Sequence, residues 1–218
     1  MRGSKQRVTS GLDAVVLVHG LWVHGAVMLL LKRRIARTGY RVLSYSYPTL
    51  RLSLTENAHR LAGYCRGIGA NRMHFLGHSL GGLIVLPMLE VDGRVPPGRI
   101  VLAGMPFARS YAAHHFCRLP GARAALGRSI AEWLAAERGE PHGGREIGVI
   151  AGSLPLGLGR MVAPGLPRPS DGVVSVAETE VPGMRDRVVL PVSHSGMLFS
   201  SAVARQVCAF LREGAFAH

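Results

Sequence analysis

Met73-His74-Phe75-Leu76-Gly77-His78-Ser79-Leu80-Gly81-Gly82 decides how this chain is read. A short apolar run, Met73 to Leu76, has the length and composition of a buried strand. The apolar run Leu80 to Val91 has the length of a helix, despite Pro87. Between them lies G-x-S-x-G, the pattern that holds a serine on a strained strand-to-helix turn with its hydroxyl projecting outward. Side chains two residues to either side of Ser79 would collide with the turn and with the neighbouring strand, which accounts for Gly77 and Gly81. The Leu80 N–H, at the start of the helix, is aimed at any negative charge that develops beside the serine.

Working outward, the flanking chain alternates strand-like and helix-like stretches. Strands are expected at Asp13–Val18, Arg41–Tyr47, Met73–Leu76, Arg99–Ala103, Arg145–Ala151 and Asp186–Val192. Helices are expected at Ala26–Thr38, Leu54–Ile68, Leu80–Val91, Ile130–Glu137 and Ser200–Arg212. Ser53 and Glu56 are spaced as a capping box for the second helix, and Gly39 closes the first. Such alternation predicts an α/β fold, a mostly parallel sheet with helices on both faces and ligand loops at the carboxyl ends of the strands. Residues 1–218 read as one domain. Two segments do not fit the repeat, Ala108–Gly127 and the Gly/Pro-rich Ser153–Ser170, and both are candidate pocket walls. His19-Gly20-Leu21-Trp22 follows the first strand, where a second backbone donor for an oxyanion would sit. That donor is the Leu21 N–H, and His19 braces the loop.

Composition removes several classes. The chain has 218 residues, 48% of them apolar and 18% charged, which excludes wholesale disorder. No apolar run approaches the roughly 20 residues of a membrane span. Cys65, Cys117 and Cys208 form no CxxC, so neither a disulfide scaffold nor a zinc cage is expected. The net charge is +13, and every basic residue except Lys5 and Lys32 is arginine. These charges are scattered, the densest group being Lys32, Arg33, Arg34 and Arg37, and no nucleic-acid-binding signature accompanies them. Nucleic acid is therefore not the expected partner, whereas weak attraction to an anionic membrane surface is. The basic N-terminus runs into a core strand with no cleavage-like site, which reads as a cytoplasmic protein. A secreted chain whose leader had been removed would read the same.

Four stretches together resemble the α/β-hydrolase family, in particular the small bacterial serine lipases and esterases. They are Val18-His19-Gly20-Leu21, Gly77-His78-Ser79-Leu80-Gly81-Gly82, Ser170-Asp171-Gly172-Val173-Val174 and Val192-Ser193-His194-Ser195-Gly196-Met197-Leu198. The resemblance implies an acid and then a base downstream of Ser79. His194 has the right context, after the last strand and before the final helix. Asp171 is the orienting acid, because Asp92 follows the elbow helix too closely and Asp186 opens the last strand at its far end. Glu178 and Glu180 are the fallback. The pair His114-His115 lacks any accompanying ligand pattern, so no metal is expected there.

The resemblance thus implies a serine carboxylic-ester hydrolase acting on a small ester or lipid, with Ser79, Asp171 and His194 catalytic and the Leu21 and Leu80 amides as oxyanion hole. No cofactor is expected. An acyltransferase or thioesterase on the same residues is the alternative, and a non-catalytic binding protein is a third reading. The substrate pocket is expected to include Trp22, Met105, His114, His115 and Met197. Residues 105–128 are too few for a full lid, so the lid is read as small or absent. The cleft should be shallow, edged by Tyr111, His114, His115, Phe116 and the loop Leu154 to Val162.

Overall fold

The computed structural model describes residues 13–107, 109–136, 144–156 and 163–218. Its strands are β1 (Ala14–Val18), β2 (Arg41–Tyr45), β3 (Met73–His78), β4 (Ile100–Ala103), β5 (Ile147–Gly152) and β6 (Asp186–Leu190). They form one sheet in the order β2-β1-β3-β4-β5-β6, with every neighbouring pair parallel. The helices are α1 (Leu29–Ala36), α2 (Leu54–Arg66), α3 (Leu80–Val91), α4 (Tyr111–Phe116), α5 (Ala122–Ala135) and α6 (Ser201–Glu213). The expected signal-free N-terminus, residues 1–12, lies outside the described residues.

Side chains alternate across each strand, and both faces of this sheet are covered. Val16, Phe75, Leu102 and Val149 pack under α2, α3 and α5, where Leu61, Ile84 and Ile130 meet them. Val15, Leu76, Val101 and Ile150 pack under α1 and α6, against Ile35, Val207 and Phe210. The central strands β1 and β3 are buried along their whole length, which is why they read as unbroken apolar runs and not as alternating ones. At the start of α2, the Ser53 hydroxyl accepts from the Glu56 N–H, and the Glu56 carboxylate accepts from the Ser53 N–H. A capping box of this kind is worth about 1 kcal/mol.

Three local expectations change. The strand before the elbow runs to His78, so Gly77 and His78 lie within the sheet and Ser79 is the first residue beyond it. The single helix expected over Ala26–Thr38 is split into a 3₁₀ turn, Gly25–Met28, and then α1. Gly25 lies against β2, its N–H donating to the Ser46 hydroxyl at 3.0 Å. Finally, the helix expected from Ile130 begins at Ala122 and is broken at Gly127, whose φ of 77° and ψ of 175° are non-helical. A Cβ there would sit 2.5 Å from the Leu50 Cα, and the next N–H, of Arg128, donates to the Leu50 carbonyl. A break strips carbonyls in the preceding turn of their usual donors. The Ala125 carbonyl accepts instead from the Trp22 indole N–H at 2.8 Å.

Candidate active site

The elbow has the geometry its glycines foreshadow. Ser79 sits at φ 53°, ψ −124°, a region that non-glycine residues occupy at a cost of order 1–3 kcal/mol. A Cβ on Gly77 would lie 2.5 Å from the Gly82 Cα, and one on Gly81 would overlap the Val18 and His19 carbonyls of the neighbouring strand. Only glycine lets β3, the turn and α3 approach this closely. The Ser79 hydroxyl makes no hydrogen bond among the described residues, and the residue lines a cleft.

On the other side of that cleft, the loop after β1 is held by its own histidine. His19 is fully buried and stacked on Tyr47, with ring centroids 4.5 Å apart. Its Nδ1–H donates to the Gly20 carbonyl, while Nε2 accepts from the Tyr47 N–H. Tyr47 returns its hydroxyl to the His19 carbonyl at 2.7 Å. Burial pushes the His19 pKa down, which keeps the ring in this neutral, donor-plus-acceptor form. The loop then turns through Trp22, a non-glycine residue at φ 59°. Leu21 and Leu80 both line the cleft. The Leu80 N–H opens α3, where no carbonyl of the helix's own can reach it.

The acid–base pair is tight. His194 Nδ1 lies 2.7 Å from Asp171 Oδ2. Asp171 is almost completely buried. Its other oxygen accepts from the Val173 and Val174 N–H groups at 2.9 and 2.7 Å, and its carbonyl accepts from the His194 N–H. Both oxygens are therefore committed as acceptors. Gly104, at φ 56° after β4, leaves the space that the pair occupies. A Cβ there would lie 3.1 Å from both Asp171 Oδ2 and His194 Nδ1.

The other acidic candidates are used elsewhere. Glu178 accepts from the Tyr111 N–H, the Ser175 N–H and the Ser175 hydroxyl, joining the Asp171 loop to the start of α4. Glu180 is exposed. Asp92 pairs with Arg66 and Arg94, and Asp186 accepts from the Phe216 N–H.

Several expected pocket residues are elsewhere. Trp22 does line the cleft, but Met105 and Met197 do not. Both are buried, Met105 beneath Gly82 and Met197 beneath Gly104, because the glycines above them leave holes that only a long unbranched side chain fills. His114 faces a second, smaller cavity of about 300 Å³ with Cys117 and Arg123. His115 stacks on Tyr111. The helical turn of α4 brings Ala112, Ala113 and Phe116 to the cleft in their place. The cleft itself is about 540 Å³, and its apolar lining includes Leu83, Leu126, Ile130 and Trp133. Residues 105–128 supply one wall of it. Leu156 is a further lining residue, while 157–162 of the expected edge lie outside the described residues. Among the described residues no group of three or more His, Cys, Asp or Glu could hold a metal.

His78, an unspecified position of the motif, carries a contact that the sequence reading missed. It is buried on β3, and its Nε2–H donates to the His194 carbonyl at 3.0 Å. Burial first, and the neighbouring His194 second, push its pKa down to about 3. His74, at the other end of the same strand, is pushed down by burial to about 4. Both rings are neutral in the folded protein, whereas unfolded histidine protonates near 6.5. The unfolded chain therefore binds more protons below pH 6.5, and stability falls with pH until the folded values are reached. The expected result is a urea midpoint that drops steadily from pH 6.5 to 4, each histidine contributing up to about 1.4 kcal/mol per pH unit. A midpoint constant over that range would refute the buried neutral assignment.

An all-parallel sheet with a glycine-flanked serine elbow after its third strand and a buried Asp–His pair beyond its fifth and sixth defines a class. The family description "Alpha/beta hydrolase family" matches residues 15–212, and the chain belongs to that family. Among solved structures it is similar to the mature form of the Bacillus licheniformis lipase BlEst2, at 15% identity and a TM-score of 0.67, over 97% of this chain and 95% of that one. It is also similar to the esterase EaEST from Exiguobacterium antarcticum, at 16% identity and a TM-score of 0.68, over 93% of each chain. A third is the metagenomic carboxyl esterase MGS0156, at 18% identity and 0.62, over 85% of this chain and 65% of that one. No curated protein sequence gives a significant match.

Proposed function

We propose that this chain is a serine carboxylic-ester hydrolase that works through an acyl-enzyme on Ser79. The observation that carries the reading is the Asp171–His194 pair, with its 2.7 Å contact, opening onto the same cleft as the strained, unbonded Ser79. His194 Nε2 takes the Ser79 proton as Oγ attacks the ester carbonyl. The Leu21 and Leu80 amides hold the oxyanion. His194 then gives the proton to the departing alcohol, and water attacks the acyl-enzyme with the same base, releasing the acid. Asp171 fixes the tautomer with hydrogen on Nδ1 and stabilises the imidazolium that forms. The names of the similar structures, a lipase and two esterases, support the same reaction.

The apolar lining supplied by Leu83, Leu126, Ile130 and Trp133 takes the acyl chain. The cleft's volume of about 540 Å³ limits length, and every methylene left outside it forgoes roughly 0.8 kcal/mol of burial. Turnover of p-nitrophenyl esters from acetyl to palmitoyl is therefore expected to peak at short to medium chains. Emulsified triglyceride should give no jump in rate at the solubility limit. A preference for palmitoyl with such a jump would overturn this pocket assignment. Stoichiometric labelling of Ser79 by an organophosphate tests the nucleophile directly. Net acyl transfer to an added alcohol or thiol in preference to water would make the protein an acyltransferase. Faster turnover of acyl-CoA esters than of oxygen esters would make it a thioesterase.

A further inference from the structure

Folding sorts the charges that the sequence scatters. The acids Asp13, Asp92, Glu146 and Asp186 all lie at the amino ends of the strands, beside β1, after α3, before β5 and at the start of β6. Most of the ion pairs lie there too, among them Arg66 and Arg94 with Asp92, and Arg99 and Arg185 with Glu146, while Arg128–Glu56 and His194–Asp171 lie at the cleft end. The opposite end, where the cleft opens, is different. Arg51, Arg109, Arg118, Arg123 and Arg168 are exposed there, on the loops after β2, β4 and β5, on the α4–α5 turn and in the first turn of α5. None of them is in an ion pair among the described residues. The acids at this end are already engaged: Asp171 and Glu178 are buried and occupied by hydrogen bonds, Glu56 pairs with Arg128, and Glu132 accepts from the Leu54 and Thr55 N–H groups at the start of α2.

The same end carries exposed large apolar side chains, Trp22, Val23, Leu50, Leu119, Leu156 and Phe199. Trp22, Val23 and Leu156 line the cleft itself. Unpaired arginines interleaved with exposed aromatic and aliphatic groups around a cleft match the two layers of an anionic lipid surface, phosphate outside and acyl chain within. A nucleic acid would use the arginines, but it offers nothing for Leu119, Leu156 or Val23 to bury in.

We infer that the strand-C-terminal end of this protein is a docking face for an anionic phospholipid surface, with the α4–α5 turn and the Trp22 loop seated in it and the cleft opening onto it. This deepens the hydrolase reading by naming where the ester lies. That purpose rests on the reading, but the docking can be measured without turnover.

The probe is large unilamellar vesicles of phosphatidylcholine, with and without 30% phosphatidylglycerol, sedimented with the full chain at low salt. Binding is expected to the anionic vesicles only and to vanish in 0.5 M salt. Each basic side chain near such a surface is worth roughly fivefold in partitioning. Arg118→Glu with Leu119→Ser, both on the exposed turn, should cut binding more than tenfold. Turnover of a soluble short-chain ester should be retained, which also reports that the variant is folded. Arg72→Glu, exposed at the amino end of β3, makes the same change in net charge and should alter binding less than twofold. In the unmodified protein Trp22, at 58% exposed, should shift its emission to the blue on anionic vesicles, while Trp133, at 4%, stays constant.

Equal binding to neutral vesicles, no binding, or equal losses from Arg72→Glu and from the turn variant would each overturn the inference. Tighter binding of a 30-nucleotide RNA with the same sensitivity to the turn variant would assign the face to nucleic acid and overturn it as well. Loss of docking with ester turnover intact leaves the hydrolase reading standing. Docking by a protein inactive on every ester would instead remove that reading and keep the face.

Discussion

Ser79→Ala will lower kcat on a soluble ester by roughly 10⁵- to 10⁶-fold and leave stability within about 0.5 kcal/mol of the parent. The small stability change follows from the Ser79 hydroxyl having, among the described residues, no hydrogen bond to lose. Alanine meets the same strain at φ 53° as serine does, so the elbow keeps its shape. The large loss in rate follows from nucleophile and base acting as a unit. His194→Ala should cost about as much, and the Ser79/His194 double variant little more than either single one. Single-turnover kinetics and a urea melt on the three variants check this. Near-parental turnover in Ser79→Ala would remove the assignment.

Asp171→Asn should lower kcat by about 10⁴-fold, and the geometry shows why so small a change would matter. The Val173 and Val174 N–H groups require an acceptor at Oδ1. The asparagine carbonyl must turn to them, which presents its NH₂ to His194 Nδ1. That nitrogen then has to accept, the ring proton moves to Nε2, and the base faces Ser79 with its lone pair gone. Glu178→Gln offers the contrast. Glu178 bonds Ser175 and the start of α4 and, among the described residues, makes no hydrogen bond to His194, so its loss should cost about 1–3 kcal/mol of stability and less than tenfold in rate. A damaging Glu178→Gln beside a mild Asp171→Asn would reverse the assignment.

How legible a feature was in the sequence depended on how far its physical cause lay along the chain. The elbow was readable because strand, turn and helix are contiguous, and the glycines answer to clashes within that stretch and with β1. The capping box at Ser53 was readable for the same reason. Asp171 and His194 could be placed by their order and by the elements around them, although what commits Asp171, the Val173 and Val174 amides, is local turn geometry with no periodic signal. The break in α5 was not readable. Gly127 looks like a poor helix residue, and its reason is the Leu50 backbone on the far side of the loop after β2. His78 was invisible for a similar reason, since its partner is a main-chain carbonyl at 194. Pocket lining was least legible. Met105 and Met197 are apolar and adjacent to the site, as lining residues are, but glycines above them draw them into the interior. Charge segregation cannot be read from a scatter along the chain at all, because it depends on which loops share an end of the sheet.

The indole of Trp22 hangs on the Ala125 carbonyl, and Trp22 follows Leu21 directly in the chain. The proposed oxyanion donor and the wall that meets the acyl chain therefore share one strained turn and one hydrogen bond. An acyl group that presses on Leu126 strains the α5 segment to which the indole is anchored, and so bears on the placement of the Leu21 amide. In such an arrangement selectivity and speed are one mechanical property. A poorly fitting chain would be discriminated in kcat as well as in KM, and shortening the side chain at Leu126 would retune both together.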